Sequence, residues 1–179
     1  MARIQPVDPE KIQGKSKEIL DAIKAKSGRV PNILKTMIHS PAAVQAYLGM
    51  SGALAGCVLP PKVRELLAVA VAEDNQCHYC LAAHSAIGKS LGLTTEELQA
   101  GRLGVSPDPK MNALLKFAAG LSKNRGNVTD KEFEAVRKAG ATDEEIIEVI
   151  ALVGLNLFTN YFNHVADPAI DFPQIPPLR

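Results

Sequence analysis

Along this chain apolar residues recur every third or fourth position, the period of a helix, and the strict alternation that marks a strand is nearly absent. The run "DPEKIQGKSKEILDAIKAKSG" predicts a first helix from Asp8, with Asp8 as cap, Pro9 in the first turn and Gly28 as its stop. "PNILKTMIHS" and "PAAVQAYLGMSGALAG" follow, each opened by a proline, the second ending near Gly56. "LPPKVRELLAVAVAEDN" is rich in leucine and alanine, and its length suits a helix better than a buried strand. "CHYCLAAHSAIGKSLG" runs to Gly92. Three capping boxes, Thr94 with Glu97, Thr129 with Glu132 and Thr142 with Glu145, open further helices. Between them "MNALLKFAAGLSKNRG" is amphipathic, and "PAIDFPQIPPLR" is expected to form a proline-rich tail lying extended on the surface or across a neighbouring subunit. The expected class is all-α, about eight helices, in one domain.

A faint internal repeat crosses this pattern. The shift that lays Glu65 on Glu148 also lays Ala68 on Ala151, and sets Cys77 and Cys80 on Asn160 and Asn163. A duplicated helical unit would explain it, and so would the chance likeness of two apolar helices.

Composition narrows the function. Lys+Arg 20 against Asp+Glu 19 leaves a formal charge of +1, and three tyrosines and five phenylalanines are scattered, so nothing favours nucleic acid. No stretch approaches the ~18 uninterrupted apolar residues of a membrane span, and "MARIQPVDPEKIQGK" lacks a leader's apolar segment. A cytoplasmic protein with no membrane partner is the expectation. Three cysteines, Cys57, Cys77 and Cys80, are too few for a disulfide scaffold. In a reducing compartment a close pair points to catalysis or metal binding.

On a helix at ~100° per residue, Cys77, Cys80 and His84 share about 60° of arc, while His78 and Tyr79 point elsewhere. Cys77 opens the helix, where unpaired N–H groups favour a thiolate. His84 lies one turn beyond Cys80 and can exchange its proton. A sulfenic acid on one sulfur would condense with the other thiol, which is peroxidase chemistry with its own resolving cysteine. Structural zinc would need a fourth ligand, for which His39, His78 or His164 would have to serve. Two inert buried cysteines are a third reading. A thioredoxin-type site would require a preceding strand, which the pattern lacks. Cys57 reads as a small buried apolar residue.

The same stretch resembles the AhpD-like alkylhydroperoxidases of the carboxymuconolactone decarboxylase superfamily. The signature is "ELLAVAVAEDNQCHYCLAAH", that is Glu65, Cys77, Cys80 and His84 in ungapped spacing, and the likeness extends through "LPPKVREL" and "NYFNHVADPAIDFP". It implies an AhpD-like helical domain: an N-terminal helical extension over 1–40, a core over 41–165 and the tail 166–179. It also implies roles. Cys80 would attack the peroxide, Cys77 would resolve the sulfenic acid, and His84 would take the Cys80 proton. Glu65 would be linked to His84 through water, and Tyr79 between the thiols would relay a proton or pack at a subunit interface. Glu73 and Asp74 would cap or solvate the inter-helix turn, and His164 would reach the site only if the last helix covers the thiols.

The leading expectation is therefore a thiol-dependent peroxidase acting on a small hydroperoxide and recycled by a dithiol on a protein or small molecule. No nucleotide or flavin motif is present, so no cofactor is expected. A homo-oligomer, as dimer, trimer or hexamer, is implied by the resemblance. The alternatives are a zinc-stabilised helical interaction module and a decarboxylase-like enzyme on the same fold.

Overall fold

The computed structural model describes residues 2–176 and 178. Among them are nine α-helices and no strand. The order is α1 (Gly14–Ser27), α2 (Asn32–Met37), α3 (Pro41–Leu54), α4 (Pro61–Asp74), α5 (His78–Ser90), α6 (Thr95–Arg102), α7 (Pro109–Lys123), α8 (Asp130–Lys138) and α9 (Asp143–Ala166).

Local signals account for most boundaries. Proline occupies the first turn of α3, α4 and α7, where its missing N–H costs no hydrogen bond. All three capping boxes form at α6, α8 and α9 with both reciprocal bonds in place. Gly28 ends α1 in the left-handed region, at φ 76°. One start is displaced. Asp8 caps only a single turn, accepting from the Glu10 N–H at 3.0 Å, and α1 begins only at Gly14, itself left-handed at φ 63°. The helical extension is thus shorter than the sequence predicts. Residues 3 to 7 instead lie across other elements, the Arg3 and Ile4 N–H groups donating to the Ala166 carbonyl and Val7 to Lys35.

Helix α4 is the centre of the molecule. Residues 67 to 73 are buried without a break, as expected of a helix apolar on all sides. It packs against α5, α6, α7 and α9, and it separates two apolar clusters. One is built around Leu20, Ile38, Val44, Val69 and Leu81, the other around Leu67, Val71, Leu115, Val136 and Val149. Each such side chain contributes ~1.5–3 kcal/mol by leaving water. Close approach of α5 and α6 depends on Gly88, whose added Cβ would lie 2.9 Å from Leu98 and 3.0 Å from Leu93.

The repeat suggested by the aligned glutamates does not extend to two helical hairpins. Helix α9 continues unbroken through the positions that would match the α4–α5 turn. Glu148, the counterpart of Glu65, accepts from the Val58 and Leu59 N–H groups and holds the loop before α4. By length and composition α9 could cross a bilayer, but its inward face is part of the core, with Val149, Leu152 and Val153 buried.

Candidate active site

The turn between α4 and α5 fixes the cysteines. Cys77 N–H donates to the Ala72 carbonyl at 2.9 Å and Gln76 N–H to Glu73, with Gln76 left-handed at φ 56°. That is a Schellman closure, carried here by glutamine where glycine is usual. It delivers Cys77 to the cap position of α5, where its sulfur accepts the Cys80 N–H at 3.4 Å. Asn75 braces the turn by donating to Val71 O and Ser122 Oγ, both at 2.9 Å.

Cys77 and Cys80 are joined as a disulfide and are 1% and 3% exposed. The two sulfurs are not equivalent. Cys80 lines a cavity of about 290 Å³, and its Sγ accepts hydrogen bonds from Asn160 Nδ2 at 3.0 Å and Asn163 Nδ2 at 3.2 Å. Cys77 lies behind it, with Asn163 Nδ2 at 3.8 Å. His84 and Glu65 line the same cavity, and His84 Nδ1 meets Glu65 Oε2 at 2.8 Å. The expected water-mediated link is therefore a direct one. An ionised carboxylate only accepts, so Nδ1 carries the proton and Nε2 is left to gain or lose one.

Tyr79 contributes its ring to the cavity wall, but its hydroxyl is committed elsewhere. It donates to Asp171 Oδ1 at 2.7 Å and accepts from the Ile33 N–H at 3.2 Å. Burial, then the Asp171 hydrogen bond, push its pKa above the usual phenol range. The phenol thus fastens the tail to α2 and α5 within the chain; it is not free to relay protons. Phe172 packs edge-on to the Tyr79 ring and closes one side of the cavity. The tail therefore folds back on its own chain. Burial, with Glu65 nearby, likewise raises the pKa of Tyr47 on the cavity wall.

Other expectations are revised. His164 and His78 are exposed, so His164 does not face the thiols. Cys57 is half-buried, its thiol directed to the Leu59 carbonyl at 3.6 Å. Glu73 does not solvate the turn: it is buried and paired with Arg102 at 2.8 Å, and Arg102 also donates to the Pro176 carbonyl. A zinc module would need several donors around one point, and among the described residues no group of three His, Cys, Asp or Glu side chains is so arranged.

Sequence reasoning missed Asn160 and Asn163. In the sequence they enter only as the positions aligned with Cys77 and Cys80, which carries no information on contact between them.

This all-helical arrangement, with a cysteine pair at a helix start beside a His–Glu pair, is similar to that of AhpD-like proteins. The structure is similar to that of the AhpD-core, peroxidase-related protein of Ralstonia eutropha JMP134, with 26% identity, TM-score 0.81, and coverage of 95% of this chain and 92% of that one. A peroxidase-related protein of Silicibacter sp. TM1040 gives 24%, 0.77, 93% and 92%, and the debrominase Bmp8 gives 19%, 0.79, 94% and 92%; these two share the fold. The carboxymuconolactone decarboxylase family model matches residues 41–120, the stretch that holds Glu65, Cys77, Cys80 and His84, so the resemblance in the sequence is borne out. No curated protein matches the chain.

Proposed function

We propose that this protein is a dithiol peroxidase that reduces small organic hydroperoxides at Cys80. The observation that carries the reading is that one cavity wall presents the Cys80 sulfur and the His84–Glu65 pair, with Cys77 bonded directly behind. In the reduced protein His84 takes the Cys80 proton. The thiolate attacks the terminal peroxide oxygen, an S–O bond forms, the O–O bond breaks, and the alkoxide leaves with the proton held by His84. Cys77 then attacks the sulfenic sulfur, forming the disulfide as the S–O bond breaks and water departs. The sum is one hydroperoxide and two thiols converted to one alcohol, one water and one disulfide. An external dithiol returns the pair to the reduced state. Glu65 orients His84 and stabilises its charged form. Tyr79 holds the wall and the tail in place. Apolar lining from Ile33, Leu34, Ile87, Leu152 and Leu155 suits an alkyl group on the peroxide.

Reduced protein given one equivalent of tert-butyl hydroperoxide should lose two thiols per chain and release tert-butanol, and should turn over repeatedly with dithiothreitol. Equal peroxide consumption by a Cys77→Ser, Cys80→Ser double variant would overturn the reading. A homo-oligomer is also proposed. Ile147, Ile150, Phe158, Tyr161 and Val165 leave an exposed apolar stripe on the outer face of α9, which supports burial between copies. Sedimentation equilibrium at micromolar concentration tests it, and a monomer would contradict it.

A further inference from the structure

We propose that Asn160 and Asn163 form a two-donor notch on α9 that makes Cys80, rather than the helix-opening Cys77, the anionic thiol of the pair. Its catalytic use rests on the peroxidase reading; the proton equilibrium it sets does not.

Position alone would favour Cys77. It caps α5, where free N–H groups and the helix dipole stabilise negative charge. The asparagines oppose that bias. Cys80 Sγ receives Nδ2 groups at 3.0 and 3.2 Å, while Cys77 Sγ has one at 3.8 Å. Both asparagines are almost wholly buried, at 0% and 6% exposure. Among the described residues their Oδ1 atoms have no hydrogen-bond partner. A buried carbonyl left unpaired is unfavourable, so the amides are arranged for the sulfur at the expense of their own oxygens. The reverse amide orientation would set carbonyl lone pairs against a disulfide sulfur that has no proton to offer.

On reduction the same donors meet a group that can carry charge. Hydrogen bonds to the ionised form lower a pKa, and those to an anion are stronger than those to a neutral acceptor. Asn160 and Asn163 touch the reacting sulfur and are in that sense catalytic residues. The titratable groups sharing the cavity are Tyr47 from α3, Arg64 and Glu65 from α4, and Tyr79 and His84 from α5; all are retained in the test.

The test measures iodoacetamide alkylation against pH, followed by mass spectrometry on the peptide carrying residues 77 and 80, so that Cys57 does not enter. In the Cys77→Ser background the Cys80 midpoint should lie below the ~8.5 of a free thiol. Asn160→Leu and Asn163→Leu should each raise it by about one pH unit. In the Cys80→Ser background the same substitutions should move the Cys77 midpoint by less than about a third of that. An unchanged Cys80 midpoint in folded variants, or an equal shift at Cys77, overturns the proposal. Should the leucine variants not fold, Asn163→Asp decides. A carboxylate beside the sulfur must raise the Cys80 midpoint, and no rise overturns the notch. Shifted midpoints without peroxide turnover would support the notch while refuting the peroxidase; turnover with unshifted midpoints would do the reverse.

Discussion

Helix α4 carries two glutamates that each meet a basic partner at 2.8 Å, and the two pairs have different surroundings. Glu73 and Arg102 have side chains 6% and 3% exposed, and the guanidinium also holds the tail through the Pro176 carbonyl. Arginine stays charged at any relevant pH, so this pair can hold α4, α6 and the tail together but cannot pass a proton. Glu65 and His84 are 16% and 24% exposed and open onto the cavity beside Cys80. Histidine changes charge near neutrality. The same side chain type on the same helix thus serves structure at one end and, in the proposed mechanism, chemistry at the other. What differs is the titratability of the partner and access to the cavity.

The sharpest break in this comparison comes from the sulfur itself. Cys80→Ser should abolish peroxide turnover while chemical denaturation of the reduced protein changes little. Next in size, His84→Gln should lower kcat/KM by ~10²–10⁴-fold through loss of the acid–base group, with a near wild-type thermal midpoint. Arg102→Ala should do the opposite. It strands a buried carboxylate and should cost about 3–5 kcal/mol in urea unfolding, while turnover per folded molecule persists. A large loss of turnover in well-folded Arg102→Ala would erase the distinction between the two ends.

The smallest effect belongs to the tail clasp. Tyr79→Phe should cost about 1 kcal/mol and leave turnover nearly intact. It should also change the alkaline limb. The Tyr79 pKa is raised on folding, by burial first and by Asp171 next. Its stabilising contribution is therefore complete below the unfolded value of about 10 and is lost as pH rises beyond it. Thermal midpoints of Tyr79→Phe should fall less steeply above that pH than those of the wild type, with Tyr47 still contributing.

Signals confined to a few neighbouring residues were legible in the sequence. The capping boxes at Thr94, Thr129 and Thr142, the prolines at helix starts and Gly28 mark boundaries with atoms close in the chain, and they hold. Cys77, Cys80 and His84 were legible for the same reason, being one turn apart on α5. Glu65 entered through the family pattern alone, because its partner lies on another helix. What depended on packing stayed hidden. Nothing near Asn160 or Asn163 marks them as donors to a sulfur on α5, nothing near Glu73 marks it as buried against Arg102, and nothing near Asp171 marks it as the partner of Tyr79. The early start expected for α1 failed because the turn capped by Asp8 does not continue, and the helix begins only at the left-handed Gly14.

The division of labour between the sulfurs is tested most directly by trapping the first oxidised species. Reduced Cys77→Ser and Cys80→Ser proteins, each given one equivalent of tert-butyl hydroperoxide with dimedone present, would be mapped by peptide mass spectrometry. A dimedone adduct on Cys80 in the first variant and none on Cys77 in the second is the expected result. An adduct on Cys77, with Cys80 unlabelled, would contradict the account.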